Sequence, residues 1–461
     1  MSTSLARGAG RAALVAALWQ APAAAQTSLT IYSDGRVQVR RTLPAAVPAG
    51  ASTHRLSLGA LDPASLFALD SGVAVMGASY DESVDEENTM RRAVGLTLRF
   101  VPGTYTKEIP DTVSALVLGV NPERFRLSDG QVVFQRPGTA LYPAELVLVE
   151  PALSLVIRAQ AARPALRLGY FTTGASWQAS YSVVLGKPGA RVTGQASIPS
   201  VTVRAPDAEV QLLAGQVGRA AAFSDKRISA GLQPVGMFRS LEADAPATEE
   251  SVGEAHLYTI PGRISLAPGV TSAVALFEPA TAAWDKGYAV RGQIPYYGML
   301  PQFGNEETSV PVGVWYTLTR RAGTPFGDLP LPGGVYRLYE PDGAGRLQLI
   351  GEAAAGHTAP GREVRLSAGS AFDLTAKRVQ TSYATRRDSI RTIATADYRV
   401  TLTSAKDSVS IVEVVEERYG EWSVVSSSAP ADKVSSTRTR FRLRIPARGE
   451  VVLTYRVRVV W

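Results

Sequence analysis

Histidine is the first side chain to consider for catalysis or metal binding, and this chain contains three, His54, His256 and His357. They lie far apart in sequence, and no pair has the spacing that places two histidines on one helical face for zinc. His357 lies in a loop rich in glycine and proline, five residues after Glu352. A histidine in such a loop either takes part in catalysis or makes a structural hydrogen bond. The sequence favours the structural role.

An acidic segment at 81–87 is the next candidate for chemistry, because it carries five carboxylates. Carboxylate oxygens are the ligands that Ca²⁺ prefers, but the EF-hand spacing and its glycine are missing here. The acids would also suit the first turn of a helix. We therefore predict a short helix over 82–93, capped by Ser83, with a loop as the alternative.

Hydrolytic chemistry has little support in the sequence. Ser176 follows a turn, but it lacks the G-x-S-x-G pattern and a following helix. Glycoside hydrolysis needs two carboxylates about 5–10 Å apart, which a sequence does not reveal. The acids Glu413, Glu416 and Glu417 lie near the end of a predicted strand and are expected to be exposed. No residue is therefore assigned as catalytic, cofactor-binding or metal-ligating, and no cofactor is expected.

The densest aromatic group comprises Tyr170, Phe171, Trp177 and Tyr181. Flat rings on strands can stack on sugars, but large aromatic side chains more often fill a hydrophobic core. We predict that these residues belong to the core, with a carbohydrate platform as the alternative.

These residues lie within a chain that is patterned as strands almost throughout. Alternating apolar residues flank Asp34-Gly35, a pair that is typical of a tight hairpin turn. Regular short strands separated by turn residues predict an all-β fold of several antiparallel β-sandwich (immunoglobulin-like) domains. Further strands are predicted at 73–76, 96–101, 113–120, 131–134, 146–149, 153–158, 165–172, 177–185, 190–198, 209–214, 256–259, 271–277, 310–318, 335–339, 346–350, 379–385, 396–404, 409–415, 438–445 and 450–460.

The organisation predicted from these patterns has three β regions after an N-terminal segment. An N-terminal β domain spans 26–152, a central β-sandwich domain spans 153–365, and an immunoglobulin-like β-sandwich spans 366–461. Between 217 and 253 neither the strand period nor the helix period repeats. Long loops of this kind are uncommon inside compact domains, so we predict a mobile insertion, with a lid or a partner-recognition segment as the functional alternative.

Residues 1–25 have the pattern of a cleavable export signal. Arg7 and Arg11 precede an apolar run at 13–19, and three alanines at 23–25 precede Gln26. This order of basic, apolar and small residues predicts a signal peptide. The apolar run is shorter than the roughly 20 residues of a membrane-spanning helix.

Composition narrows the class of protein further. The chain has 461 residues, a net charge of +7 and no cysteine. Without cysteine there is no disulfide, no lipid-modified cysteine and no thiol nucleophile. The basic residues are scattered, so we expect a solvated basic surface rather than a nucleic-acid site. No transmembrane helix is predicted in 26–461.

The aromatic segment also begins a series of short motifs: Leu168-Gly169-Tyr170, Gly174, Trp177, Tyr181, Leu213-Ala214-Gly215, Tyr258, Leu266, Pro268-Gly269, Leu331-Pro332-Gly333, Tyr339, Gly351-Glu352, His357-Thr358, Gly369 and Phe372-Asp373. In this order, the motifs resemble those of bacterial mucoidy-inhibitor-like proteins. The resemblance covers about 153–460 and implies a β-rich envelope protein without an established activity. Those proteins carry a long coiled coil near the N-terminus, and no sustained heptad is present here.

Taken together, these patterns predict an exported, periplasmic protein that binds an envelope protein or a glycan, or supports the envelope, without catalysis. A secreted hydrolase acting on glycans is one alternative. An outer-membrane β-barrel is another, because residues 451–461 alternate and end on an aromatic residue, Trp461. The alternation equally suits a sandwich strand with one buried face. The oligomeric state and the identity of the partner stay open.

Overall fold

The computed structural model describes residues 26–103, 112–215, 237–240, 248–252, 254–292, 300–304, 306–388 and 390–461. Strands make up 64% of the structure and helices only 4%, which confirms the predicted all-β class with several antiparallel sheets. Among the described residues, no helix is long and apolar enough to cross a membrane. The predicted signal peptide at 1–25 lies outside the described residues.

The first half of the structure begins with the predicted hairpin, in which Gly35 has a φ of +88° that L side chains rarely adopt. Its elements are β1 (Gln26–Tyr32), β2 (Arg36–Leu43), β3 (Gly50–Ser57), β4 (Asp62–Ala68), β5 (Val73–Asp81), α1 (Glu86–Arg92), β6 (Thr97–Val101), β7 (Val113–Val120), β8 (Glu123–Leu127), β9 (Val132–Val133), β10 (Thr139–Leu141), a 3₁₀ turn (Ala144–Leu146), β11 (Ala152–Ala159), β12 (Leu166–Thr173), β13 (Gln178–Val184), β14 (Ala190–Ser200) and β15 (Ala205–Ala214).

The second half is equally rich in strands and ends with the alternating strand predicted at 450–460. Its elements are β16 (Met237–Ser240), β17 (Thr248–Val252), β18 (Ala255–Thr259), β19 (Ile264–Leu266), β20 (Val270–Arg291), β21 (Thr308–Val310), β22 (Gly313–Thr319), α2 (Pro325–Asp328), β23 (Gly334–Pro341), β24 (Leu347–Ala355), β25 (Val364–Ser370), β26 (Leu374–Asp388), β27 (Arg391–Ser404), β28 (Ser410–Glu417), β29 (Glu421–Ser427), β30 (Ala431–Lys433), β31 (Arg438–Ile445) and β32 (Glu450–Val460).

These strands form five sheets. Sheet I has the order β17-β18-β15-β1-β2-β12-β4, with β19 paired to β15, and sheet II has the order β3-β11-β5. Sheet III is β10-β6-β7-β8-β9. Sheet IV runs β24-β23-β13-β14-β20-β28-β31-β30, and β16, β22 and β25 join it beside this path. Sheet V is β21-β26-β27-β32-β29. Most neighbours are antiparallel, whereas β1 and β15, for example, run parallel.

The described residues form four hydrophobic cores, and the three largest hold the sheets together. The largest includes Leu29, Leu155 and Tyr181, so sheets I, II and IV share it. A second core includes Val414 and Leu453 and joins sheet V to the β28 and β31 region of sheet IV. Burial of apolar area is the main force available to a chain without disulfides.

A third, smaller core forms between α1 and sheet III. It includes Met90, Phe100 and Phe125, and the two phenylalanine rings meet edge to face at 5.3 Å between centroids. This unit is inserted between β5 and β11, which pair directly in sheet II. The chain therefore leaves sheet II, builds a separate core and returns to the adjacent strand.

The sheets cross the limits of the predicted domains at two places. Strand β11 begins at residue 152 and pairs with β3 and β5, so sheet II continues across the predicted boundary at 152/153. Strand β20 is long enough to pair with β14 in its first half and with β28 at its end. Val290 at that end lies in the second core, which therefore extends beyond 366–461.

Several local predictions differ from the structure. The predicted strand at 146–149 is wrong, because the chain there leaves a 3₁₀ turn and continues without regular structure. Strands β3 and β4 were not predicted, since their sequences, GASTHRLS and DPASLFA, lack a run of β-branched residues. Within the predicted mobile insertion 217–253, β16 and β17 pair with neighbouring strands. The rest of that insertion, apart from these two strands, lies outside the described residues.

Candidate functional site

The three histidines are separate in the fold, and each has a local partner. The His54 Nε2 atom lies 3.0 Å from the hydroxyl of Ser52 on the same strand. The His256 Nδ1 atom lies 2.7 Å from Glu249 Oε1 across the β17–β18 pair. Neither arrangement brings a second histidine nearby. Among the described residues there is no group of three or more His, Cys, Asp or Glu side chains that could hold a metal ion.

His357 has the structural role that the sequence favours. Its Nδ1 atom accepts a hydrogen bond from the backbone N–H of Gly333 at 3.1 Å, which connects two loops. Glu352 does not face this ring, because its carboxylate accepts a hydrogen bond from Arg337 Nε at 2.7 Å across the β23–β24 hairpin.

The acidic segment forms the start of helix α1, as predicted, but with a different cap. Asp85, not Ser83, is the N-cap, and its carboxylate accepts a hydrogen bond from the backbone N–H of Asn88 at 2.8 Å. That hydrogen bond lowers the pKa of Asp85. The neighbouring Glu86 pairs with Arg136 at 2.6 Å, so these acids serve the helix and its contacts.

The aromatic group lies in the largest core, which confirms the prediction for three of its four members. Tyr170, Trp177 and Tyr181 are 1–3% exposed. Tyr181 stacks on Tyr336 with ring centroids 4.2 Å apart, and its hydroxyl donates to a backbone carbonyl. Phe171 is only half-buried. The buried rings have no free face for a sugar.

The prediction for Glu416 is wrong, because this carboxylate is completely buried. Along β28, residues 410, 412, 414 and 416 are buried while alternate residues are not, so Glu416 lies on the core face. Glu413 and Glu417 point to the other face and are half-buried. The period-two pattern of Val412 and Val414 was the sequence signal that could have located Glu416.

Glu416 is the centre of a buried polar group that we call the arginine cluster: Arg378, Tyr398, Glu416, Arg418 and Tyr455. Its Oε1 accepts from Arg378 Nη2 at 2.7 Å and its Oε2 accepts from Arg418 Nη2 at 3.2 Å. The Tyr455 hydroxyl also donates to Glu416, and Arg378 lies over the Tyr398 ring. Burial alone would lower the pKa of Arg378, but the Glu416 carboxylate outweighs it and raises that pKa.

A cleft opens at the edge of the first core. It has a volume of about 430 Å³ and we call it the Arg41 cleft. Apolar side chains supply much of its wall, and charged side chains include Arg41 and Glu150. Its principal lining residues are Leu29, Val39, Arg41, Ser57, Leu58, Glu150, Tyr170, Val203, Pro206 and Pro268.

Strand register explains why a cation lies in this cleft. Arg41 follows Val37 and Val39 at two-residue spacing on β2, which places it on the core-facing side of sheet I. Across the sheet, Val39 lies between Leu29 on β1 and Tyr170 on β12. The sequence V-x-V-x-R of β2 was the signal for this site, and the sequence reasoning missed it.

The polar contacts of the Arg41 cleft are few. Arg41 Nη1 donates to the carbonyl of Leu58 at 3.4 Å, while its buried Nε has no hydrogen-bond partner within the described part of the chain. The Tyr170 hydroxyl donates to the same carbonyl at 3.3 Å. Burial raises the pKa of Tyr170, and the charge of Arg41 offsets part of that rise. Glu150 is exposed at the rim, where it accepts from Ser57 at 2.8 Å.

No protein-family model matches the chain, and no curated protein matches it either. The resemblance to mucoidy-inhibitor-like proteins therefore stays a prediction.

Proposed function

We propose that this protein is exported to the cell envelope, with the periplasm as its compartment, and acts there as a binding module without catalysis. The pattern of residues 1–25 supports export. The resemblance of 153–460 to a family of β-rich envelope proteins agrees with it. The observation that carries the binding role is the Arg41 cleft, a recess with apolar walls in which Arg41 is half-buried and a second cation, Arg204, is exposed.

The chemistry of the cleft favours binding over catalysis. A guanidinium stays protonated under all ordinary conditions, and the Tyr170 hydroxyl has a raised pKa, so it also keeps its proton near neutral pH. Neither group exchanges a proton readily in that range, whereas general acid–base catalysis needs a group that does. Both groups are suited to holding a ligand in one orientation.

The same residues indicate the class of ligand. A carboxylate placed beside Arg41 would accept from its unpartnered Nε, and hydrogen bonds to charged groups contribute about 1.5–3 kcal/mol. An apolar body would lie against Leu29, Val39 and Tyr170, which are only 1–3% exposed. The gain of roughly 25 cal/mol for each Å² removed from water would therefore come from the exposed Pro206 and Pro268 of the same cleft. The proposed ligand is therefore an amphipathic molecule that carries an acidic group.

Octanoate and octanol test this proposal, because they share an apolar chain and differ in charge. Isothermal titration of the mature protein should show octanoate binding about tenfold more tightly than octanol. Arg41→Gln should remove that difference. Arg167→Gln is the matched control, since Arg167 is an exposed arginine of the same sheet that pairs with Asp70 outside the cleft. Equal affinities in the wild type, or an unchanged preference in Arg41→Gln, would refute the proposal.

A further inference from the structure

A second, smaller cavity lies beside the arginine cluster and is independent of the Arg41 cleft. Its volume is about 190 Å³. Residues of β26 and β27 line it on the sheet, and residues 303, 304 and 306 together with β21 supply the rest of its wall. The lining residues include Gly304, Glu306, Arg378, Gln380 and Tyr398.

Gln380 holds the wall of this cavity against sheet V. Its Oε1 accepts from the backbone N–H of Phe303 at 2.6 Å, and its Nε2 donates to the carbonyl of Pro301 at 3.1 Å. Nε2 also donates to the Tyr398 hydroxyl at 3.2 Å. The two hydrogen bonds to the backbone fix the segment at 301–303 to the sheet, and the third joins Gln380 to Tyr398 on the neighbouring strand. The cavity is therefore built by side chains with defined partners.

Two hydrogen-bond donors of the cavity lining lack acceptors. Arg378 Nε is buried and has no partner within the described residues. The Tyr398 hydroxyl accepts from Gln380 and, at 3.4 Å, from Arg418, and among the described residues no acceptor is found for its own proton. A buried donor without an acceptor is costly. Both donors belong to residues that line the same cavity.

The charge beside the cavity is also unbalanced. Two guanidinium groups, of Arg378 and Arg418, meet the single carboxylate of Glu416. The two arginine side chains are 9% and 4% exposed, so water screens them little. Glu306 lines the cavity as well, but it is exposed and makes no ion pair with Arg378 in the described structure. One net positive charge therefore stays buried next to the cavity.

We propose that this cavity is a binding site for one oxyanion group, held by Arg378 Nε–H and the Tyr398 O–H. A carboxylate and a phosphate share this chemistry, since each presents charged oxygens to a guanidinium. The volume accommodates one such group, either as a free ion or as the end of a larger molecule. The ligand neutralises the buried charge and supplies the two missing acceptors.

Titration of the mature protein with sodium phosphate and with sodium acetate, at constant ionic strength set by sodium chloride, tests this site. We expect saturable binding of at least one of them, and the stronger of the two identifies the anion class. Tyr398→Phe keeps the ring but removes the donor, so it should weaken binding about tenfold. Glu306→Gln is the control and should bind equally well or more tightly.

Gly304 supplies a matched pair of variants that leaves the core untouched. A Cβ atom at Gly304 would meet nothing within 4 Å, so substitution there does not disturb packing. Gly304→Asp adds a negative charge at the cavity and should weaken anion binding, whereas Gly304→Asn has the same shape without the charge and should not. Absence of saturable binding in the wild type, or equal affinity in the Asp and Asn variants, would overturn the proposal. Neither result bears on octanoate binding, because the Arg41 cleft borders the first core and this cavity borders the second.

Discussion

Replacing Glu416 with glutamine is expected to destabilise the second core by about 3–5 kcal/mol. The carboxylate is buried and binds both Arg378 and Arg418 through separate oxygens. Glutamine fits the same space, but it leaves two buried guanidinium groups without a counter-charge. The cost comes chiefly from the unpaired cations rather than from the lost hydrogen bonds.

Hydrogen exchange measured by mass spectrometry is the suitable assay, because the chain has separate cores that need not unfold together. Lowering the free energy of opening by about 3 kcal/mol raises the population of the open form roughly a hundredfold. The rate of amide hydrogen exchange in β26, β28 and β32 should rise by the same factor. Peptides from sheet I should be unaffected. Glu413→Gln is the control, since Glu413 lies on the other face of β28 and its pairs with Arg440 and Arg442 are partly exposed.

A compensating variant separates charge from packing. Replacing Arg378 and Arg418 with methionine and Glu416 with leucine removes all three charges, and such replacements are often neutral or stabilising. In this triple variant, the protection of the second core against hydrogen exchange should return towards that of the wild type. The reasoning about buried charge fails if Glu416→Gln changes exchange in the second core less than tenfold, or if it acts no differently from Glu413→Gln.

Three further outcomes are expected. Gly334→Ala should lower the thermal midpoint, because its Cβ would lie 2.2 Å from a carbonyl oxygen of β13, whereas Gly343→Ala meets open space and should not. Arg456 lowers the pKa of Asp397, so this pair adds stability above about pH 4 that is lost as the pH falls through the lowered pKa. Thermal midpoints of Asp397→Asn should therefore depend less on pH between about 5 and 2. N-terminal sequencing of the exported protein should begin at Gln26, and an uncut chain would contradict the predicted signal.

The elements that the sequence predicted well are those with local causes. The hairpin at Asp34-Gly35 and the strand ending at Val460 follow from two-residue alternation and a glycine with positive φ. Helix α1 follows from acids in its first turn, although Asp85 rather than Ser83 provides the cap. Ser83 and Asp85 lie two residues apart, and either side chain can cap a helix. The path of the backbone decides that the Asp85 carboxylate reaches the N–H of Asn88.

The candidate sites were not predicted, because each combines residues that are distant in the chain. Arg41 lies in a cleft with Tyr170 and Val203, and Arg378 meets Glu416 and Tyr455 from three different strands. A charged residue on the buried face of a strand can be recognised from alternation alone. Its partners depend on which strands become neighbours, and local periodicity contains no information on that choice.

By itself, the sequence determined the class of this protein: short alternating strands and glycine turns build sheets, and a chain without cysteine relies on apolar burial. Tertiary structure alone decided how the strands meet. It placed β1 beside β15 in parallel, and it inserted α1 and sheet III between two paired strands. It also enclosed two arginines with one carboxylate. The physical reason is that alternation specifies which face of a strand is buried. The fit between the buried faces of strands that are distant in sequence then selects which strands become neighbours.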